Sequence, residues 1–243
     1  MKKSKRLQEI ISKNVEFEKE APYNFCDRWC ERCVLETQRR CKLYLDELDR
    51  RVTNIAHGRD EDDLEILKED YEKKFEELKA HSGQWEGEDY FDFPEFKCSD
   101  YNEYDEIEAK EEELRGHPLE RITKAYMEKA SDFLKKEFYY KVDSMALELR
   151  YDYETVAWYH TLLSAKMYRA LCGLYVRDEF DEEEDFGLCD AVAQLAVCKK
   201  AVNQSVKALR NIAHNKSLQT KITYLLALLH NISSRIELID KEI

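Results

Sequence analysis

Four cysteines stand within sixteen residues near the start of the chain, spaced Cys26-x3-Cys30-x2-Cys33-x7-Cys41. A thiolate is a soft, anionic ligand suited to zinc and to iron–sulfur clusters, and four of them complete the coordination of either. The same residues can instead serve as small apolar side chains. At helical spacing Cys26, Cys30, Cys33, Thr37, Cys41, Tyr44 and Leu48 would share one face, as a core stripe does. Geometry separates the two readings. In an unbroken helix rising about 1.5 Å per residue, Cys26 and Cys41 would stand on the order of 22 Å apart, against Zn–S bonds of about 2.3 Å. A single metal centre therefore requires the chain to fold back between them.

Structural zinc sites typically draw on two separated Cys-x2-Cys-like knuckles, whereas three cysteines in one tight stretch are more usual for iron–sulfur clusters. Cys-x3-Cys-x2-Cys is also the spacing with which radical S-adenosylmethionine enzymes hold a cubane. The strands of their barrel are missing from this sequence, and a fourth cysteine would close the iron that those enzymes leave open. The expectation is a 4Fe-4S cluster on Cys26, Cys30, Cys33 and Cys41, with zinc as the alternative, in a structural, electron-transferring or sensing role. Cys98, Cys172, Cys189 and Cys198 lie far apart without ligand spacing. The last three are expected in the core, and Cys98 has no assigned role.

The stretch Tyr23-Asn24-Phe25-Cys26-Asp27-Arg28-Trp29-Cys30-Glu31-Arg32-Cys33 resembles the N-terminal signature of a group of uncharacterised bacterial proteins with a C-D-R-W-C-E-x-C motif and a helical remainder. The similarity is strong over roughly ten residues around the cysteines and faint through Tyr153 to Leu171 and Asp190 to Leu209. Those proteins carry Pro-Phe after the third cysteine, where this chain has Val34-Leu35. The resemblance implies a shared metal site and supplies no activity.

Other constellations are weaker. A ferritin-like di-iron site needs Glu-x-x-His pairs, and none of the six histidines has an acid three residues before it. His160, beside Trp158 and Tyr159 on an apolar stripe, reads as a hydrogen-bonded core histidine. Lys166 and Arg169 could form an anion pocket or could be solvated or salt-bridged. Arg210-Asn211-Ile212-Ala213-His214 and Arg51-Val52-Thr53-Asn54-Ile55-Ala56-His57 resemble the Arg-to-His motif of the HEPN family of helical ribonucleases, which implies an RNA-cleaving alternative with a structural cysteine site. That motif usually places four to six residues between Arg and His, whereas the first stretch has three and the second five. The competing reading is two helix C-termini, where histidine favours the dipole.

The elements that must position these residues are helices. With only 6 Gly and 3 Pro in 243 residues, and abundant Glu, Lys, Leu and Ala, the fold class is all-α, an N-terminal cysteine-rich segment followed by an antiparallel helical bundle. The expected organisation is the cysteine cluster and a helix over 1–58, a polar helix and acidic-aromatic connector over 59–117, and the bundle over 118–243. Pro22 ends a helical lead-in, and Gly58 ends the helix that follows Cys41. Apolar residues at three- and four-residue steps predict one or two helices over 119–150, then helices carrying Val156 to Leu174, Leu188 to Leu209 and Leu218 to Ile239.

The net charge of −13 disfavours non-specific nucleic-acid coating. Most of the excess is local: residues 84–113 hold thirteen acids and two lysines, whereas residues 1–51 hold thirteen basic and ten acidic side chains. The aromatic residues among those acids make 84–106 either a connector or a partner-binding arm, the feature of a non-enzymatic interaction module. No apolar stretch approaches the roughly 20 residues of a membrane span, and no secretory pattern opens the chain. A cytoplasmic protein with a protein partner is expected.

Overall fold

The protein, described by a computed structural model, is seen over residues 4–64, 68, 69, 71–73, 75, 76, 109, 110, 112–175 and 186–243. The acidic-aromatic segment 84–106, Cys98 and the acid run 178–185 lie outside the described residues, as does much of the polar helix expected over 61–80. Among the described residues every regular element is helical, so the all-α class holds. None of these helices is long and apolar enough to cross a membrane.

The chain divides into two compact units, one formed by Met1–Trp29 with Glu106–Ile243 and the other by Cys30–Asp105. The first unit opens with α1 (Lys5–Glu20) and a 3-10 turn at Pro22–Asn24, and continues with α4 (Pro118–Glu137), α5 (Leu147–Tyr175), α6 (Phe186–Ile212) and α7 (Gln219–Glu242). The second contains a 3-10 turn at Cys30–Arg32, α2 (Leu35–Arg40) and α3 (Lys42–Ala56).

In the first unit α4 packs on α5 and α7, and α6 packs on the same two helices, which makes a four-helix bundle. The pairing of α5 with α6 is antiparallel. Gly173 meets Gly187, Arg169 pairs with Asp190, Cys198 reaches the Leu163 carbonyl, and Asn211 bonds Asp152, so one number rises as the other falls. At Gly173 the two backbones come so close that a Cβ would lie 2.5 Å from the Gly187 carbonyl oxygen, and any larger residue would have to spread the pair.

The core follows the three-and-four spacing of the sequence. Along α7 Ile222, Leu225, Leu229, Ile232, Ile236 and Ile239 are all buried, each contributing about 1.5–3 kcal/mol by burial. The run predicted over 119–150 resolves into α4 and the start of α5, divided at Phe138. There the chain leaves the helix, and the ring stacks on Tyr153 with centroids 5.4 Å apart. The lead-in helix α1 is capped by Ser4, whose hydroxyl accepts the Leu7 N–H at 3.0 Å. It packs Leu7 and Ile10 against Leu188, Cys189 and Val192 of α6.

Candidate metal centre

The cysteine segment is not one helix. After α1, Pro22 opens the 3-10 turn, and Cys26 follows it with its sulfur 3.3 Å from the Arg28 backbone N–H, which donates to it. In the second unit Cys30 opens the short turn Cys30–Arg32, and the Cys33 N–H closes it on the Cys30 carbonyl at 3.1 Å. The Gln38 side chain donates to that same carbonyl at 2.8 Å. Cys41 is buried and extended, at φ −86° and ψ 104°, and separates α2 from α3. A single core stripe from Cys26 to Leu48 would need the continuous helix that these breaks remove, and Leu48 is exposed.

Cys33 and Cys41 are free thiols. Among the described residues no group of three or more His, Cys, Asp and Glu side chains is gathered as a metal ion would require. Val34 and Leu35, where the resembling proteins carry Pro-Phe, are exposed at the start of α2.

Two non-cysteine members of the motif, Asp27 and Trp29, have their own partners in the bundle. Asp27 is 7% exposed. Its carboxylate accepts the Tyr159 hydroxyl at 2.5 Å and the Lys200 ammonium at 2.8 Å, and its carbonyl accepts the Trp158 indole N–H at 2.9 Å. Burial alone would raise the Asp27 carboxyl. The hydrogen bonds from Lys200 and Tyr159, the lysine charge and the Trp29 N–H outweigh it and hold the group below the ordinary aspartate range. Trp29 stacks on Trp158 with centroids 5.1 Å apart and meets Tyr159 edge-on. Arg28 between them sits at φ +54°, a left-handed conformation that costs a non-glycine residue roughly 1–2 kcal/mol. Asp27 and Trp29 thus anchor the segment that bears Cys26 and leads into Cys30.

Sequence reasoning quoted Asp27 and Trp29 without roles and missed Lys200, Trp158 and Tyr159 as their partners. The signal was available only in the motif itself, where an acid and an indole stand between cysteines with no local partner. Gln194 was also missed. It is fully buried on α6, and its amide donates to the Asn24 carbonyl at 3.2 Å and to Asp190 at 2.9 Å.

The remaining candidates fall as follows. His160 is buried, and its Nδ1–H donates to the Ala157 carbonyl at 2.7 Å, as expected for a core histidine. Cys189 and Cys198 are buried, and Cys172 packs against the core. Arg169 forms a two-point pair with Asp190 at 2.7 and 2.8 Å, whereas Lys166 is buried rather than solvated. Arg51 is held by Glu47 and Asp62. His57 caps α3, and Gly58 beyond it, at φ +72°, makes the left-handed turn that ends the helix. His214 follows α6, and its Nδ1–H donates to the Asn211 carbonyl at 2.7 Å.

No protein-family model matches this chain, and no similar protein is found among the curated proteins or the solved structures.

Proposed function

We propose that this chain is a cytoplasmic helical metalloprotein in which Cys26, Cys30, Cys33 and Cys41 hold a 4Fe-4S cluster, with zinc as the competing occupant. Its role is redox sensing, electron transfer or service as an accessory subunit to a protein partner. The observation that carries the reading is the interrupted backbone between Cys26 and Cys41, a 3-10 turn, a six-residue helix and an extended residue, in place of a rod that would string the thiols out. The donor set agrees in number and softness with either metal. That Cys26 completes the set formed with Cys30, Cys33 and Cys41 rests on sequence spacing. Metal binding by clustered thiols is coupled to local ordering, so closure of the segment accompanies loading.

When bound, a fully ligated cluster supplies one-electron chemistry or a redox-labile cross-link. The chain's own contribution is to anchor the segment through Asp27 and Trp29 and to supply the thiolates. Replacing Cys30 or Cys33 by serine is expected to abolish the broad visible absorbance of anaerobically purified protein while the far-ultraviolet helical signal stays. Absorbance that persists in both variants would sink the assignment of these ligands. A colourless parent carrying one zinc would leave a structural site and remove the redox role.

A further inference from the structure

His117 occupies a position that serine, threonine, aspartate or asparagine usually fills. It caps α4, and its Nδ1 accepts the Leu119 N–H at 3.2 Å. Pro118, first in the helix, has no N–H, so this bond meets the first free donor of α4. Ser4 at α1 and Asn215 before the turn Lys216–Leu218 cap with oxygens, which accept at any pH near neutral. An imidazole nitrogen accepts only while it is unprotonated, which fixes His117 as the neutral ring with its proton on Nε2. On protonation Nδ1 becomes a donor facing a donor, and the new charge stands at the positive end of the helix dipole.

The neighbours of the ring work in the same direction. α5 presents Tyr175, whose ring centroid lies 5.5 Å from that of the imidazole, and α7 presents the Arg235 charge. On the helix itself Glu120 stands in the first turn with its Oε2 buried and unpartnered, and burial pushes its carboxyl up, towards the neutral acid. Burial of the ring first, and then the Arg235 charge, hold His117 below the ordinary histidine value.

The cap also fastens the approach to the bundle. Leu114 is buried between exposed Glu113 and Arg115, and the His117 N–H closes a turn on the Leu114 carbonyl at 3.0 Å. We propose that His117 is a pH-sensitive fastening at the N-terminus of α4: the neutral ring holds the turn Leu114–His117 and the first turn of the helix closed, and protonation releases both. This device does not depend on the metal reading.

The test is nuclear magnetic resonance of the full-length protein, following the His117 ring nitrogens and the exchange of the Leu119 amide between about pH 7.5 and about pH 5. The Nε2–H tautomer is expected at the upper end, with a titration midpoint below the ordinary histidine value of about 6.5. After correction for the intrinsic pH dependence, exchange at Leu119 should rise about fivefold as the ring protonates, the loss that removal of one N-cap typically causes. His117→Asn, which caps at every pH in the range, should keep that amide slow throughout. His117→Ala should leave it fast at both ends while the far-ultraviolet helical signal stays. Arg235→Gln should move the His117 midpoint upward. An Nδ1–H tautomer, a midpoint at or above the ordinary value, or a pH response at Leu119 as large in His117→Asn as in the parent would overturn the proposal. A midpoint unmoved in Arg235→Gln would overturn the part assigned to that charge.

Discussion

Helices α3 and α7 carry nearly the same apolar spacing and meet different fates. On α7 Leu225, Leu229, Ile232 and Ile236 are at most 2% exposed, whereas on α3 Leu45, Leu48, Val52 and Ile55 are 43–60% exposed. Periodicity alone therefore announces a helix with an apolar face, and tertiary context decides whether that face is used. In the bundle, α4 and α6 supply the facing surface. On α3 the local order comes from its ends, through the break at Cys41 and the turn that closes on Asn54. The Asn54 side chain donates to the Glu61 and Asp63 carbonyls at 3.2 and 2.8 Å. One helix is held by burial and the other by polar closure of its termini.

The largest effect that follows from this contrast is in the core. Leu229→Ala should cost about 2–5 kcal/mol in urea denaturation, because the methyl groups leave a cavity at a fully buried site. Next comes the anchor. Asp27→Asn should cost about 1–3 kcal/mol, since the Lys200 charge loses its partner and the Tyr159 hydroxyl its strong acceptor. A loss that small would show the segment to be held by a polar clamp added to the bundle rather than by the core itself.

Ser4→Ala should cost about 1 kcal/mol by releasing the Leu7 N–H at the start of α1. A pH effect accompanies these losses. Burial holds His160 below the ordinary histidine value, and burial with the Arg235 charge does the same for His117. Both take up a proton less readily in the folded chain than in the unfolded chain, which does so below about pH 6.5. Stability should therefore decline as pH falls through that value, and the slope of midpoint against pH should shrink in His160→Gln. The smallest effect is on α3, where Ile55→Ser should change stability by no more than about 0.5 kcal/mol. A large loss there would mean that the exposed face of α3 is covered in solution, and would break the contrast.

Much of the bundle was legible because Leu, Ile and Val at three- and four-residue steps leave few alternatives to helices, and outside it the stop at Gly58 acts locally; the cap at Ser4 was not read. The division at Phe138 was not legible, because the apolar spacing runs on through Val142, Met145 and Leu149 while the turn depends on Phe138 stacking on Tyr153. The role of Gly173 was also hidden, since a glycine inside a helix declares nothing until its opposite number, Gly187, is known. At the candidate site the thiols were readable by type and spacing. The anchoring of Asp27 and Trp29 was not, because Trp158, Tyr159 and Lys200 lie more than a hundred residues away. The same holds for Lys166, whose burial its place on the helix did not announce.

The most direct test of the metal reading is the iron, acid-labile sulfide and zinc content of the full-length protein purified without oxygen. The account predicts about four irons and four sulfides per chain with little zinc. A chain that retains neither iron nor zinc under those conditions, and takes up neither when they are supplied to the reduced thiols, would contradict it.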